Sequence, residues 1–315
     1  MGEINIEQSL FSSMYKYHGK TKEIIQSERR KEFIKRHKDK KNANADYNRC
    51  ILNVLDEQEL CMEIEESQET REYRQPFKYK FMLSEWFLEP PPDLKENWLF
   101  KLCPEGSRIL VIVKRNRTIC VHKNGKTFLK LSTSFPGGTK ESQNGLTVFD
   151  CVYNKNTKTI FILDCLCWNS MSMLEHEAHF RFYWLESKFK ENPEFLKEMS
   201  KHYFKLIDIG HADINLLQED LMKPIEINGT IIPYDGVVFY YGHSVYNFGY
   251  TPLTMWLPSF MLTEKLGVQV DVVHLSKRPP DYVCAEEFMK SLCKKKMRKY
   301  KGKNKEVMAM ESTDC

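Results

Sequence analysis

Cys103-Pro104-Glu105-Gly106-Ser107-Arg108-Ile109-Leu110-Val111-Ile112-Val113 sets the frame for the whole chain. Pro-Glu-Gly is a turn signal, and Arg108–Val113 is a branched aliphatic run of strand length. Similar segments flank it: Trp98–Leu102 before, then Thr118–His122, Thr127–Leu131, Thr147–Tyr153, Thr159–Cys167, Phe180–Trp184 and Val237–Tyr240. Turn signals separate several of them, at Lys123-Asn124-Gly125, Pro136-Gly137-Gly138 and Asn154-Lys155-Asn156. Short connections of this kind suit antiparallel pairing. Helical patterns are expected at Leu83–Phe87, Asn192–Lys205 and Asp213–Leu221. The expected class is α+β, with an antiparallel-sheet core over 77–289.

Outside that core the composition changes. The 315 residues carry a formal net charge of +4, but the charge is blocked along the chain. Residues 15–41 hold 11 Lys/Arg against 4 Asp/Glu, and residues 56–72 hold 8 acids against one Arg. Residues 290–305 hold 9 basic residues and no acid. The core from 73 to 289 balances 25 basic residues with 25 acidic ones. The chain therefore reads as a basic helical arm (15–42), an acidic linker (43–76), a neutral core and a basic, disordered tail (290–315). A neutral core argues against gripping long nucleic acid by bulk electrostatics. The arm lacks Gly and Pro over 21–41 and has few apolar residues, Ile24, Ile25, Phe33 and Ile34. It is expected to be mobile, unable to dock on its own core, and to fold against an acidic partner.

No run of about 18 apolar residues exists, so no transmembrane helix is expected. The polar start gives no secretory signal, which points to cytosol or nucleus. The ten Cys contain no C-x-x-C pair, and Cys120, Cys151, Cys165 and Cys167 read as small buried hydrophobes. His176 and His179 lack the Glu placement of H-E-x-x-H. No catalytic residue, metal or cofactor is expected. Of the five Trp, Trp168 and Trp184 sit in apolar context and fit a core. Trp86, before a Pro run, and Trp256, between Pro252 and Pro258, lie in irregular segments. Such positions suit a pocket that stacks on a base.

Cys103-Pro104-Glu105-Gly106-Ser107-Arg108 resembles the K-x-D-G-x-R motif of the covalent nucleotidyltransferases, the mRNA capping guanylyltransferases and the DNA and RNA ligases. Phe161-Ile162-Leu163-Asp164 resembles that family's D-G-E strand, and Tyr234-Asp235-Gly236-Val237-Val238-Phe239 its D-G-hydrophobic-hydrophobic-F motif. Cys103 stands in place of the lysine nucleophile, and Cys165-Leu166 replaces Gly-Glu. The resemblance implies the fold, and the substitutions imply a guanine-nucleotide pocket without chemistry.

Longer stretches are similar to the snurportin family: Phe81-Met82-Leu83-Ser84-Glu85-Trp86, Phe135-Pro136-Gly137-Gly138, Phe149–Asn154, Phe180–Trp184, Thr251–Leu257 and, in the arm, Gln26-Ser27-Glu28-Arg29-Arg30. Members are nuclear import adaptors for spliceosomal small nuclear ribonucleoproteins. The resemblance implies that Trp256 stacks on the 2,2,7-trimethylguanosine cap, whose positive base favours an indole face. It implies that Trp86 meets the two N2 methyl groups, that Leu83 and Ser84 form the adjacent wall, and that Cys103, Gly106, Ser107 and Arg108 line a second segment. Lys123 would meet the triphosphate bridge. Importin-β would take the arm through Tyr15, Lys16, Arg29, Arg30, Lys31, Lys35 and Arg36. An exportin would dock on 1–14 and return the protein, which would shuttle between nucleus and cytoplasm. The alternative is a general RNA-binding protein that uses its basic arms without reading cap methylation.

Overall fold

The computed structural model describes residues 21–39, 77–197, 199–275 and 277–291. The segment 1–14, Tyr15, Lys16, the linker 43–76 and the tail beyond 291 lie outside the described residues. Among those described, no helix is long and apolar enough to cross a membrane.

Helix α1 (Lys22–Asp39) precedes strand β1 (Met82–Trp86) and the short α2 (Leu94–Asn97). Six strands follow: β2 (Trp98–Pro104), β3 (Ser107–Lys114), β4 (Arg117–His122), β5 (Thr127–Leu131), β6 (Leu146–Asn154) and β7 (Thr159–Trp168). After β8 (Met171–Ser172) come α3 (Ala178–Glu191), β9 (Tyr203–Leu206), β10 (Gly210–His211) and α4 (Ile214–Leu221). The hairpin β11 (Ile225–Ile227) and β12 (Thr230–Ile232) leads into β13 (Tyr234–Tyr241), β14 (Gly249–Pro258) and α5 (Leu262–Leu266). A further helix, α6, covers 285–291.

Two mixed, mainly antiparallel sheets result, in an α+β architecture. The first has the order β1-β14-β13-β2-β10 and the second β5-β4-β3-β6-β7-β8, with β9 added beside β7. Two pairings are parallel, β1 with β14 and β7 with β9. One apolar layer fills the space between the sheets, with Leu99, Cys103, Val238 and Tyr240 from the first and Leu110, Ile112, Val148 and Leu163 from the second. Strand alternation sends the intervening residues to two outer layers: Phe100, Val237, Phe239, Met255 and Leu257 on one side, and Ile109, Val111, Phe149 and Cys151 on the other. Cys120, Cys151, Cys165 and Cys167 are buried, as their setting suggested, and Cys103 is buried as well.

Several local expectations are corrected. Leu83–Phe87 is not helical: most of it is β1, an edge strand held by β14. Phe180–Trp184 alternates like a strand but lies in α3, where the buried positions Ala178, Arg181, Phe182, Leu185 and Phe189 recur at helical spacing. The helix expected over Asn192–Lys205 shrinks to one 3-10 turn, Pro193–Leu196, before β9. Thr251–Pro258, read as irregular, is the body of β14.

The layer between the sheets also holds an ammonium. Lys101 is 1% exposed, donates to the carbonyl of Leu163 at 2.6 Å and lies 4.0 Å from the Phe182 ring centre. Leu163 is skipped by the ladder, since Asp150 pairs with Asp164 and Cys151 with Ile162, so Lys101 satisfies the carbonyl at that bulge. Burial pulls the Lys101 pKa down to about 8, with the Asp164 carboxylate opposing it. The unfolded chain keeps this proton up to the ordinary lysine range, whereas the folded chain releases it from about pH 8. Lys101 therefore contributes a stability that rises with pH through that window. Relative to Lys101→Met, the wild-type protein is expected to gain on the order of 2–3 kcal/mol between pH 7 and pH 10.5. Urea denaturation of both proteins across that range checks it. Parallel curves would mean that the ammonium is not desolvated.

Candidate nucleotide pocket

Antiparallel pairing gathers the site at one end of the two sheets. Cys103 lies near the end of β2, Ser107 and Arg108 open β3, and Ile109 pairs with His122 at the end of β4. That register sets Lys123, the next residue, beside Arg108. Gly125, at φ +80°, allows the tight return, with Gly125 N–H donating to the His122 carbonyl. The backbone of Lys123 also accepts from Tyr79 N–H at 2.8 Å, which ties this turn to the chain entering β1.

Arg108 is not a free cation. Its Nε and Nη2 meet Asp150 Oδ1 and Oδ2 at 2.5 and 2.6 Å, and Asp150 is fully buried. Burial works against the guanidinium charge, but Asp150 outweighs it and holds the Arg108 pKa above its usual value. Tyr246 Oη donates to Asp150 Oδ2 at 2.6 Å and accepts from Met82 N–H at 3.0 Å. The network therefore runs from β3 through β6 to β1, the strand of Leu83, Ser84 and Trp86. The Lys123 side chain reaches solvent, yet partial burial lowers its pKa and the positive Arg108 lowers it further. The Cys103 thiol is pushed up to about 12 by burial, with Arg108 opposing. It stays protonated at neutral pH and is not a nucleophile.

Trp256 enters from β14. It is half-buried and packs against the layer between the sheets, as does Leu83. Its indole extends to Gly236, where a Cβ would come within 2.9 Å of the far ring carbon Cη2. Gly236 is in turn the register partner of Cys103. The absence of a side chain at 236 thus lets the indole lie beside the Cys103 strand. In the parallel ladder Trp86 pairs with Trp256 and Ser84 with Thr251, with an irregularity between Ser84 and Glu85. Trp86 is half-buried, and its ring meets Phe288 of α6 edge-on at a centroid distance of 6.1 Å. Gly106 and Ser107 are exposed at the turn, where a Cβ on Gly106 would collide with the Tyr153 carbonyl at 2.6 Å. Lys277 pins that turn from outside, 3.3 Å from Glu105 and 2.8 Å from Asp235.

Leu83, Cys103, Arg108, Lys123 and Trp256 are thus brought to one region, with Trp86 aligned beside Trp256. Sequence reading gave no role to Asp150, Tyr246, Lys101 or Phe288. A carboxylate inside the apolar run Thr147–Tyr153 was a signal for the first. Tyr246 and Phe288 carry none. Among the described residues, no group of three or more His, Cys, Asp or Glu is arranged to hold a metal ion.

The basic arm departs from expectation. Helix α1 docks on the core, with Gln26 and Arg30 buried and Arg29 paired to Glu85 at 2.6 Å. It does so through polar side chains, for which the count of apolar residues gave no warning. Lys31 and Lys35 are exposed, and Arg36 pairs with Glu32 along the helix.

The family model described as Snurportin1, m3G cap-binding domain, matches residues 80–259. The chain belongs to that family. The matched span runs from the residues entering β1 to the residue after β14, and so contains Leu83, Trp86, Cys103, Arg108, Lys123 and Trp256. Similar solved structures are ligases. The ligase domain of M. tuberculosis LigD is 14% identical with a TM-score of 0.40, over 57% of this chain and 59% of that one. A mycobacterial DNA ligase D complexed with ATP and MES is 12% identical with a TM-score of 0.37, over 56% and 58%. A protein titled Pmar-Lig_PreS3 is 14% identical with a TM-score of 0.41, over 61% and 49%. The chain thus spans less than two thirds of each of these three solved chains. Helices α1 and α6 of this chain lie outside the matched residues.

Proposed function

We propose that this chain binds the 2,2,7-trimethylguanosine cap of small nuclear RNA and carries the ribonucleoprotein into the nucleus through importin-β. The observation that supports the reading best is the half-buried Trp256 indole over Gly236, beside Cys103, with Lys123 and the Arg108–Asp150 pair near by. An electron-rich ring face takes a cationic N7-methylated base, and the Lys123 ammonium would meet the phosphates. Arg108, already neutralised by Asp150, would serve as a shared hydrogen-bond donor to the cap. Trp86 would supply the apolar contact for the N2 methyl groups.

Titration with trimethyl and monomethyl cap dinucleotides, followed by Trp fluorescence, tests this reading. The trimethyl cap is expected to bind more tightly, and Trp86→Ala to remove about 1–2 kcal/mol of that preference, the contribution of two buried methyl groups. Equal binding of both caps, with affinity falling steeply in salt, would favour a general RNA binder.

The proposed protein is not an enzyme. Cys103 occupies the place of the nucleotidyltransferase lysine, and a thiol cannot form the phosphoramidate. The apolar Leu166 cannot replace the missing carboxylate. No covalent adduct with GTP or ATP is expected with any divalent metal. A labelled band that survives denaturation and disappears in Cys103→Ala would overturn this.

For transport, the exposed Lys31, Lys35 and Arg36, the last paired along the helix with Glu32, lie outside the core contact and suit an acidic importin-β surface, with Arg29 and Arg30 joining once the helix is released. An exportin on the first residues would recycle the protein to the cytoplasm. Lys31→Glu with Lys35→Glu is expected to impair importin-β-dependent entry in a permeabilised-cell assay. Unimpaired entry would remove the arm from the import role.

A further inference from the structure

Helix α1 is polar nearly all round, yet it buries two polar side chains against the core. The residues responsible, Gln26, Arg29 and Arg30, are spaced i, i+3, i+4 and so share one face. Gln26 Nε2 donates to the Trp86 backbone carbonyl at 2.8 Å and to Glu85 Oε2 at 3.3 Å. Arg29 Nη1 lies 2.6 Å from Glu85 Oε1, and the Glu85 side chain is only 9% exposed. The Arg30 guanidinium sits 5.2 Å from the Trp98 ring centre, with Nη2 3.1 Å from the Met255 sulfur. Burial lowers the Arg30 pKa, with Asp93 and Glu85 opposing.

These contacts fall on the strand pair that carries the two pocket tryptophans. Glu85 is the register partner of Met255, and Trp86 is the partner of Trp256. Successive residues of a strand point to opposite faces. The arm therefore grips the Glu85–Met255 face, Trp256 packs against the layer between the sheets, and the Trp86 ring meets Phe288 of α6. Strand β1 is the sheet edge, with β14 as its neighbour in the sheet, and the arm adds hydrogen bonds and an ion pair to it from outside the sheet. The near-buried Glu85 carboxylate, next to Trp86 in the chain, finds Arg29 and Gln26 from the arm. If the arm leaves, a desolvated charge must rehydrate and the Trp86 carbonyl loses a donor.

We infer that the arm helix is a positioning element of the cap site: Gln26, Arg29 and Arg30 hold the back of β1 and thereby the Trp86 wall. This rests on Trp86 contacting the methylated base, as proposed above. A consequence follows for transport. An acidic partner that takes Arg29 and Arg30 must first remove them from Glu85 and Trp98. Partner binding and recognition by Trp86 are then antagonistic, and by linkage the cap weakens the partner as much as the partner weakens the cap.

The test compares full-length wild type with Gln26→Ala/Arg29→Ala/Arg30→Ala in titrations with trimethyl and monomethyl cap dinucleotides. The triple variant is expected to lose trimethyl affinity about fivefold, with little change for the monomethyl cap and an unchanged melting temperature of the core. Combining Glu85→Arg with Arg29→Glu should recover part of the preference lost in either single change, which a purely structural role would not produce. Limited trypsin digestion reads the docking separately: the bonds after Lys31 and Lys35, lysines that both proteins keep, should be cut slowly in the wild type and quickly in the triple variant. Unchanged selectivity in the triple variant, or equal cleavage of both proteins, overturns the inference. If Trp86→Ala leaves selectivity intact while the triple variant loses it, the arm does not act through Trp86 and the inference fails in this form. If the variants behave as expected but importin-β does not bind a peptide of residues 15–45, the positioning role stands and the import reading falls.

Discussion

Asp164→Ala is expected to destabilise the domain by about 3–5 kcal/mol, because it strips the partner from a fully buried cation. Arg181 is 0% exposed and Asp164 is 1% exposed. Arg181 Nε and Nη2 meet Asp164 Oδ1 and Oδ2 at 2.9 and 2.8 Å. The remaining guanidinium nitrogen is used as well, with Nη1 donating to the carbonyls of His176 at 2.6 Å and Ser244 at 3.1 Å. Asp164 Oδ1 also accepts from Cys165 N–H at 2.8 Å. The pair thus joins β7, α3 and the loop before β14, and Tyr246 of that loop is the residue that holds Asp150. The damage should therefore reach the pocket. Urea unfolding measures the loss, and Asp164→Leu with Arg181→Leu should cost less than either single change, because no charge is then left unpaired. A single-variant loss below about 1 kcal/mol would mean that water reaches Arg181.

Trp256→Ala should abolish most cap binding while the protein stays folded. Removal of one stacked base contact costs about 1–3 kcal/mol, and a cationic base makes it more. The side chain is half-buried at the margin of the inter-sheet layer, so its loss opens a groove and no closed cavity. Trp256→Phe should recover part of the affinity, since a smaller ring face remains. Gly236→Ala offers an independent check from the opposite strand. A methyl group there would come within 2.4 Å of the Leu257 carbonyl, 2.8 Å of Pro258 Cα and 2.9 Å of the indole, and so would disturb both the β13–β14 pairing and the stacking ring that it carries. Full affinity in Trp256→Ala would take this residue out of the pocket, whatever the family resemblance implies.

Much of the sheet framework was legible in the sequence, for a local reason. Arg108–Val113, Thr118–His122, Thr147–Tyr153 and Thr159–Cys167 are aliphatic runs bounded by turn residues, and β3 pairs with β4, and β6 with β7, through short connections. The candidate pocket was legible where a motif carried it. Cys103 to Arg108 and Lys123 were legible through the family resemblance, and the pairing of β3 with β4 sets Arg108 beside Lys123.

The α+β core, the cysteine at 103 in place of a lysine, the burial of the strand cysteines and the blocks of charge at either end could be read from the chain alone. Only the tertiary structure decided that Leu83–Phe87 is extended, because its partner β14 lies far along the chain and supplies hydrogen bonds that no local pattern encodes. It likewise decided that Phe180–Trp184 is helical, since its alternating aromatics fit a strand locally but Arg181 can reach Asp164 only from the inner face of α3. The arm is the sharpest case. Its apolar count foretold a helix with nothing to pack on, but docking depends on a carboxylate, a carbonyl and an indole waiting at Glu85, Trp86 and Trp98. Complementarity of that kind is a property of two surfaces brought together by the fold, and composition along one segment cannot report it.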